Sequence, residues 1–280
     1  MPKLNSLLLF PFLVSMLSCG AGPSVPPQTL VSAATQSTPS AAGDWEIKAQ
    51  SAVSSGSTPF SPFSRGYWEL VGSLENTDAK ITGMLNVFTS LCYPPGINLV
   101  PVSGTIGAGS DVSLTSSPVG GQVLTIAGVM SSDRRALLNA TYVIEGGCGD
   151  GEHGTMTGFM VPSFTNTYTG TLTSFPAGKA TNVTLSLTQS PGADAAGFFH
   201  VTSGPATFVN STCFSSGTLS PARSLIFGSH LAVTFDTNDG GQVILDTVLA
   251  DPSDKIIAGT YRVLSGSCAG EGGTVTLDHP

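Results

Sequence analysis

The sequence predicts an all-β protein made of two tandem small antiparallel β-meander barrels, with about seven or eight strands and one disulfide in each. Three observations support this: a composition unsuited to helices, an internal duplication that includes four cysteines, and period-two alternation of apolar residues. The chain of 280 residues contains 34 glycines and 19 prolines, and only 10% of its residues are charged. It is therefore poor in the Lys, Glu and Arg that favour helices and rich in residues that form turns between β-branched runs.

The net charge of the chain indicates which classes of binding partner can be excluded. The formal net charge is -8 at pH 7, so the chain lacks the basic surface with which nucleic-acid binders neutralise phosphates. We therefore expect no nucleic-acid partner. The length suffices for one large domain or two small ones, each with its own core.

An internal duplication favours two domains. Three segments recur in the same order in the second half: SGTI at 103–106 as SGTL at 216–219, GGQVL at 120–124 as GGQVI at 240–244, and NATYVIEGGCGDGEHGT at 139–155 as AGTYRVLSGSCAGEGGT at 258–274. We interpret residues 44–162 as the first β domain and residues 163–280 as the second.

Four cysteines take equivalent places in the two copies. If each copy is an autonomous unit, Cys92 pairs with Cys148 and Cys213 with Cys268, which is the one connectivity of three that is internal to both copies. Such disulfides persist in an oxidising compartment such as the periplasm or cell surface. No cysteine pair has the CxxC spacing of a zinc site, so we expect no metal.

The strands are predicted from the alternation of apolar and polar residues along the chain. Residues 136–144 place Leu138, Tyr142 and Ile144 on one face of a half-buried antiparallel strand, and residues 257–263 repeat the pattern. Other strands are expected at 45–50, 67–74, 80–88, 111–116, 122–130, 154–160, 168–175, 183–188, 196–201, 231–236 and 242–249. Glycines inside strands suit the bends of barrels. Two immunoglobulin-like sandwiches are the runner-up, disfavoured because no Trp lies between the cysteines of either copy.

The N-terminus predicts export. Lys3 precedes an apolar segment, 7–17, that is too short to span a bilayer, and Cys19 follows directly after Ser18. Residues 1–18 resemble the signal peptide of bacterial lipoproteins, although Met16 stands where such signals prefer Leu. This resemblance implies that Cys19 is acylated and anchors the chain in a membrane, and Gly20 favours the outer membrane, on its periplasmic or surface face.

The alternative is an ordinary signal peptide that is removed together with Cys19. Residues 19–43 would hold the lipid attachment and a flexible tether, since the stretch after Cys19 is rich in Pro, Ser, Ala and Thr.

Motifs of catalysis are missing from the sequence. It contains no GxSxG, HExxH, phosphate-binding or dinucleotide-binding motif. Asp150, Glu152 and His153 are its densest polar group, but the second copy keeps only Glu271, which favours a solvated hairpin loop. Residues 236–241 are similar to the start of a calcium loop but lack its ligand spacing and distal Glu, which favours a turn. We expect no catalytic residue, no metal and no cofactor.

Aromatic residues near the start of the first copy form a candidate binding surface. They are Trp45, Phe60, Phe63, Tyr67 and Trp68. If a loop exposes these rings, they suit a sugar, a peptide or a lipid. The alternative is that they cover the end of the first barrel or fill the junction between the copies.

The sequence as a whole favours a membrane-anchored envelope lipoprotein that acts as a non-catalytic binding or structural module for an unknown envelope or extracellular ligand. A lipocalin-like carrier is an alternative, because an eight-stranded barrel can hold one small ligand. A hydrolytic enzyme is the second alternative, for which the sequence offers no convincing constellation.

Overall fold

Strands make up nearly all of the regular structure. The computed structural model describes residues 40–52, 66–90, 92–96, 98–249 and 255–279. Within these ranges, the strands are accompanied by two short 310 helices, Gly147–Gly149 and Pro221–Arg223. No helix there is long and apolar enough to cross a membrane. The all-β prediction is confirmed; Cys19, Phe60 and Phe63 lie outside the described residues.

The first copy forms a closed antiparallel barrel in meander order. Its strands are β1 (Gly43–Ser51), β2 (Tyr67–Thr77), β3 (Lys80–Phe88), β4 (Leu99–Ile106), β5 (Asp111–Ser116), β6 (Val123–Met130), β7 (Ala136–Glu145) and β8 (His153–Met160). Each strand pairs with the next, and β8 pairs with β1 to close the barrel. Closure leaves this sheet without an exposed edge.

The second copy also closes, with two additional strands. Its strands are β9 (Asn166–Ser174), β10 (Ala180–Gln189), β11 (Phe199–Ser203), β12 (Pro205–Val209), β13 (Ser216–Leu219), β14 (Leu225–Phe227), β15 (His230–Thr237), β16 (Gln242–Leu249), β17 (Ile256–Ser265) and β18 (Gly272–Asp278). Without β11 and β14, the others pair in chain order, and β18 returns to β9. The copy therefore has ten strands rather than the predicted seven or eight.

The additional strands bridge two members of this ring. β11 pairs with the end of β10 at Gln189, and β14 joins β11 to the beginning of β15. They interrupt the simple meander that the sequence predicts.

The predicted disulfides are confirmed. Cys92, after β3, is bonded to Cys148, between β7 and β8, with a Cα–Cα separation of 5.4 Å. Cys213, after β12, is bonded to Cys268, between β17 and β18, with a separation of 5.8 Å. Each disulfide therefore joins the corresponding pair of loops in its own barrel.

Each barrel encloses its own apolar cluster. Trp45, Trp68 and Tyr142 are among the largest buried side chains of the first barrel, and Phe235 is among those of the second. Small eight-stranded barrels of this kind can be filled by side chains. The interior of the first barrel is filled in this way, because aromatic and branched residues of its strands alternate inward.

Burial corrects part of the predicted aromatic surface. Trp45 is 0% exposed and Trp68 is 2% exposed. The Trp45 indole N–H donates to the Ala41 carbonyl at 2.8 Å, and that of Trp68 donates to the Tyr142 hydroxyl at 3.1 Å. Their polar groups are thus satisfied inside the barrel, and neither side chain contributes to an exposed binding surface.

A β-bulge in β7 corrects the predicted alternation. The register shifts between Leu137 and Ala140, where Asn139 has a φ of 48°. Leu137 is consequently buried and Leu138 exposed, whereas the strand keeps the predicted phase from Ala140 onward. The extra residue of the bulge moves the side chains of β7 that precede it to the opposite face of the sheet.

Candidate functional site

A recess of about 530 Å³ lies on the outer face of the first barrel, where β8, β1 and β2 run side by side. The residues around it are Lys48, Ala49, Gln50, Tyr67, Trp68, Glu69, Thr89, Thr155, Met156 and Thr157. Ala49, Trp68 and Met156 are buried in the core of the first barrel and also border the recess.

Strand register arranges the outward side chains in two rows. Thr155 pairs with Gln50, which pairs with Tyr67 on its other side. The second row is formed in the same way by Thr157, Lys48 and Glu69. Directly paired residues project to the same side of a sheet, so each row forms a contiguous strip across three strands.

Glu46 anchors the charges beside the recess. Its side chain is 2% exposed and accepts hydrogen bonds from the Lys48 ammonium and from the Ser229 backbone N–H, each at 2.8 Å. Burial favours the neutral acid, but these hydrogen bonds outweigh burial and hold the pKa of Glu46 below its ordinary value. The charge of Lys48 is therefore neutralised by Glu46.

Glu69 lies beside this ion pair, and its pKa is shifted in the opposite direction from that of Glu46. Burial, followed by the negative charge of Glu46 and a hydrogen bond with it, raises the pKa of Glu69 to about 7, although Lys48 opposes the rise. Glu69 is therefore the carboxyl group of the pair that titrates near neutral pH, while Glu46 remains ionised.

Asp44 continues the same outward row of β1. It is 4% exposed, and neither carboxylate oxygen has a hydrogen-bond partner among the described residues. Burial raises its pKa well above the ordinary value; the nearby N–H groups of Gly228 and Trp45 oppose this rise without reaching ordinary hydrogen-bond geometry. The neutral acid is the form that such a site favours.

The second barrel covers these acids with the turn between β14 and β15. Gly228 in this turn has a φ of 58°, and a Cβ atom there would lie 2.8 Å from Val71 Cγ1 and 3.1 Å from Glu46 Oε2. Glycine is suited to this turn because it tolerates both the left-handed backbone and the close approach. The next residue, Ser229, donates the hydrogen bond to Glu46.

Aromatic and amide contacts extend this junction. The Phe88 and Phe227 rings stack with centroids 6.0 Å apart, and Phe198 lies edge-on to Phe227 at 6.4 Å. Asn86 in β3 donates to the Ala196 carbonyl at 2.7 Å. The segments around β11 and β14 therefore contribute contacts between the barrels, in addition to Phe159 of β8, which packs against the apolar cluster of the second barrel.

Of the predicted binding surface, Tyr67 is the described member that is exposed, at 64%. It lies in the recess together with Gln50, Glu69 and the threonines of β8, which the sequence reasoning did not select. These residues occupy outward positions of predicted strands, which the alternation could have indicated. That they lie next to one another follows from the pairing register of the strands, which the sequence does not specify.

The other polar groups noted in the sequence form local structure. Glu152 is buried and accepts a hydrogen bond from Tyr142, whereas His153 faces the Gly151 carbonyl, so the two do not share a pocket. Asp239 accepts hydrogen bonds from Thr237, Gly241 and Ser267, which tie a turn.

One group within the described part of the chain has the spacing of metal ligands. Cys213, Cys268 and Glu271 bring their ligand atoms within 4.8 Å of one another. Both sulfurs belong to a disulfide, so neither is available as a thiolate. The group therefore does not fit a thiolate metal site.

The described chain is thus a double antiparallel β-barrel protein with a recess on the outside of its first barrel, lined by both apolar surface and hydrogen-bonding side chains. No protein-family model matches it, and no curated protein matches its sequence. It is similar to a crystal structure of a DUF3598 family protein of unknown function from Nostoc punctiforme, with 9% identity, coverage of 85% of this chain and 96% of that chain, and a TM-score of 0.24. A similarity at that TM-score carries no argument about function.

Proposed function

We propose that this protein is a lipid-anchored component of the bacterial cell envelope that acts as a non-catalytic binding module, with its ligand in the recess on β8, β1 and β2. The lipoprotein-like signal ending at Cys19 supports the anchor, and the outer membrane is its proposed location. The two disulfides fit an oxidising compartment outside the cytoplasm.

The observation that carries the proposal is the position of the recess. It lies on the outer face of a barrel whose interior is filled by Trp45, Trp68 and Tyr142. A lipocalin-like carrier holds its ligand inside the barrel, which the packing of the first barrel disfavours. A ligand site on the outer face of the barrel is consistent with a module that binds its ligand at its surface while its N-terminus is anchored in the membrane.

Glu46 and Glu69 raise the question of catalysis, because carboxyl groups with separated pKa values are a pattern of acid–base sites. Glu46, however, is almost completely buried and is occupied by Lys48 and Ser229. Its hydrogen bonds connect the two barrels and leave it no access to a substrate. We therefore assign the pair a structural role at the edge of a binding site.

The anchor is tested by mass spectrometry of the protein extracted from its own membranes. We expect an acyl mass on Cys19 as the first residue, together with loss of membrane association in Cys19→Ser. A mature chain that starts after Cys19 and carries no lipid would refute the anchor without affecting the binding proposal.

Occupancy of the recess is tested by site-specific photo-crosslinking in intact cells. Benzoylphenylalanine is introduced at Tyr67 and, as a matched control, at Phe175, an aromatic residue that is 71% exposed but lies outside the recess. We expect a discrete adduct at position 67 that is missing at position 175. Equal labelling at both positions would refute a ligand site at the recess.

A further inference from the structure

We propose that the recess binds a neutral saccharide, with the Tyr67 ring against the apolar face of a sugar and the hydrogen-bonding groups of Gln50, Thr155 and Thr157 against its hydroxyls. This inference rests on the proposed binding function and names its ligand class.

The first argument is the supply of hydrogen-bonding groups. Gln50, Thr155 and Thr157 are exposed, and their side chains have no hydrogen bond to other residues in the described ranges. An amide offers two donors and an acceptor site, and a threonine hydroxyl offers both functions. Sugar hydroxyls likewise donate and accept, so these groups match them without a change of protonation.

The second argument is the ring at the end of the first row. Tyr67 directly pairs with Gln50 across β1 and β2, and its ring is largely exposed. An aromatic ring provides an apolar face next to a polar hydroxyl. A pyranose has the same division, with C–H bonds on its faces and hydroxyls at its rim.

The third argument is the balance of charge. Lys48 is the cation of the recess, and it is already bonded to Glu46 at 2.8 Å while lying 5.8 Å from the centre of the Phe159 ring. A phosphate or carboxylate ligand would have to compete with Glu46 for this ammonium, beside a second carboxyl group. Neutral ligands avoid that competition.

The fourth argument is that these features belong to one copy alone. In the second barrel, β18, β9 and β10 place Thr274, Thr173 and Ala180 in a row that corresponds to Thr155, Gln50 and Tyr67. The neighbouring row is Thr276, Thr171 and Asn182, where the first barrel has Thr157, Lys48 and Glu69. The threonines of the last strand are retained, whereas the aromatic ring, the amide and the charged pair are specific to the first copy.

The experiment uses the full chain in detergent micelles on an array of defined glycans, with neutral oligosaccharides and sulfated or uronic-acid glycans printed at matched density. We expect binding to neutral glycans. For the best neutral glycan, Tyr67→Ala should weaken the affinity about tenfold, as expected for an aromatic anchor, whereas Tyr67→Phe keeps it within about twofold.

Two further variants test the saccharide site without altering the Tyr67 ring. Thr155→Val removes a hydroxyl at nearly constant shape and should weaken binding about threefold, the lower range of a lost neutral hydrogen bond. Phe175→Ala, outside the recess, should bind as the unaltered protein does. All variants are compared by their thermal unfolding, so that a loss of binding is not confused with a loss of the fold.

Three results would overturn the saccharide assignment. They are a lack of binding to any neutral glycan, binding confined to anionic glycans, and glycan binding that neither Tyr67→Ala nor Thr155→Val alters. If the photo-crosslink at position 67 is nevertheless discrete, the binding function stands and the ligand belongs to another class. If the crosslink also fails, the proposed function fails with it.

Discussion

The two copies contain the same tyrosine–glutamate hydrogen bond in different surroundings, which permits a quantitative test of burial. The Tyr142 hydroxyl donates to Glu152 Oε1 and the Tyr261 hydroxyl donates to Glu271 Oε1, each at 2.8 Å. Glu152 is 5% exposed, whereas Glu271 is only partly buried. Replacing each tyrosine by phenylalanine therefore removes the same bond in a dry site and in a wetter one.

The expected costs differ because water can replace only the second bond. Tyr142→Phe leaves the buried Glu152 carboxyl without its hydroxyl donor and removes the acceptor of the Trp68 indole N–H at 3.1 Å. Losing a partner of a buried carboxyl group costs about 3 kcal/mol, within the range for bonds to charged groups. Tyr261→Phe should cost about 1 kcal/mol, because solvent reaches Glu271.

Urea unfolding followed by pulse proteolysis measures both costs, since the fragments identify the barrel that has unfolded. Trp45 and Trp68 both lie in the first barrel, so tryptophan fluorescence follows that barrel independently. Tyr67→Phe, in which the exposed ring is retained, serves as the control and should leave the urea midpoint unchanged. Equal costs for the two buried-ring variants, or a larger cost for Tyr261→Phe, would refute the reasoning from burial.

Three other predictions concern stability. Reduction of the Cys92–Cys148 disulfide, which closes a loop with a sequence separation of 56, should lower the free energy of unfolding by about 4 kcal/mol; an unchanged urea midpoint would contradict this. Because the pKa of Glu69 is about 7 in the folded chain and 4.5 ordinarily, its proton-linked stability is present below about pH 4.5 and is lost as pH rises to 7. Glu69→Gln should reduce that loss by about 1 kcal/mol after allowance for solvent screening, measured as the difference between urea midpoints at pH 5 and pH 8, and an identical pH dependence would contradict it. Gly228→Val, which combines a left-handed backbone with a contact at 2.8 Å to Val71, should cost about 3 kcal/mol, and a thermal unfolding temperature equal to that of the unaltered protein would argue against the described junction.

The sequence predicts the two disulfides, which the duplication repeats, and those strands in which the alternation is long and regular; β4 and β13, which contain the repeated SGTI and SGTL segments, were not predicted as strands. The two disulfides and several strands, such as Lys80–Phe88, Asp111–Ser116 and Gln242–Leu249, agree with the structure. The strand expected at 196–201 overlaps β11 (Phe199–Ser203), whereas β14 has three residues, too few for a recognisable alternation, and was not predicted. β11 and β14 also pair with each other across about 25 residues of chain, and no local pattern specifies that pairing.

The candidate site was harder to predict than the fold, because register decides which residues meet. Glu46 and Glu69 come from different strands and lie near each other through the pairing of β1 with β2, in which Lys48 is opposite Glu69. The tryptophans were selected for their chemistry, although the period-two pattern of the same strands places them inward. Tyr67 differs from Trp68 by one position and therefore points outward.

The junction indicates that the two copies have diverged in complementary ways. The acids Asp44 and Glu46 belong to the first copy, since the second has Thr169 at the place of Glu46, opposite Asp278 of β18. The turn that covers these acids follows β14, one of the two strands found only in the second copy. A buried carboxylate requires a hydrogen-bond donor, and the Ser229 N–H supplies one from the other barrel. The negative charge of Glu46, which contributes to the raised pKa of Glu69, is therefore stabilised in part by the other barrel.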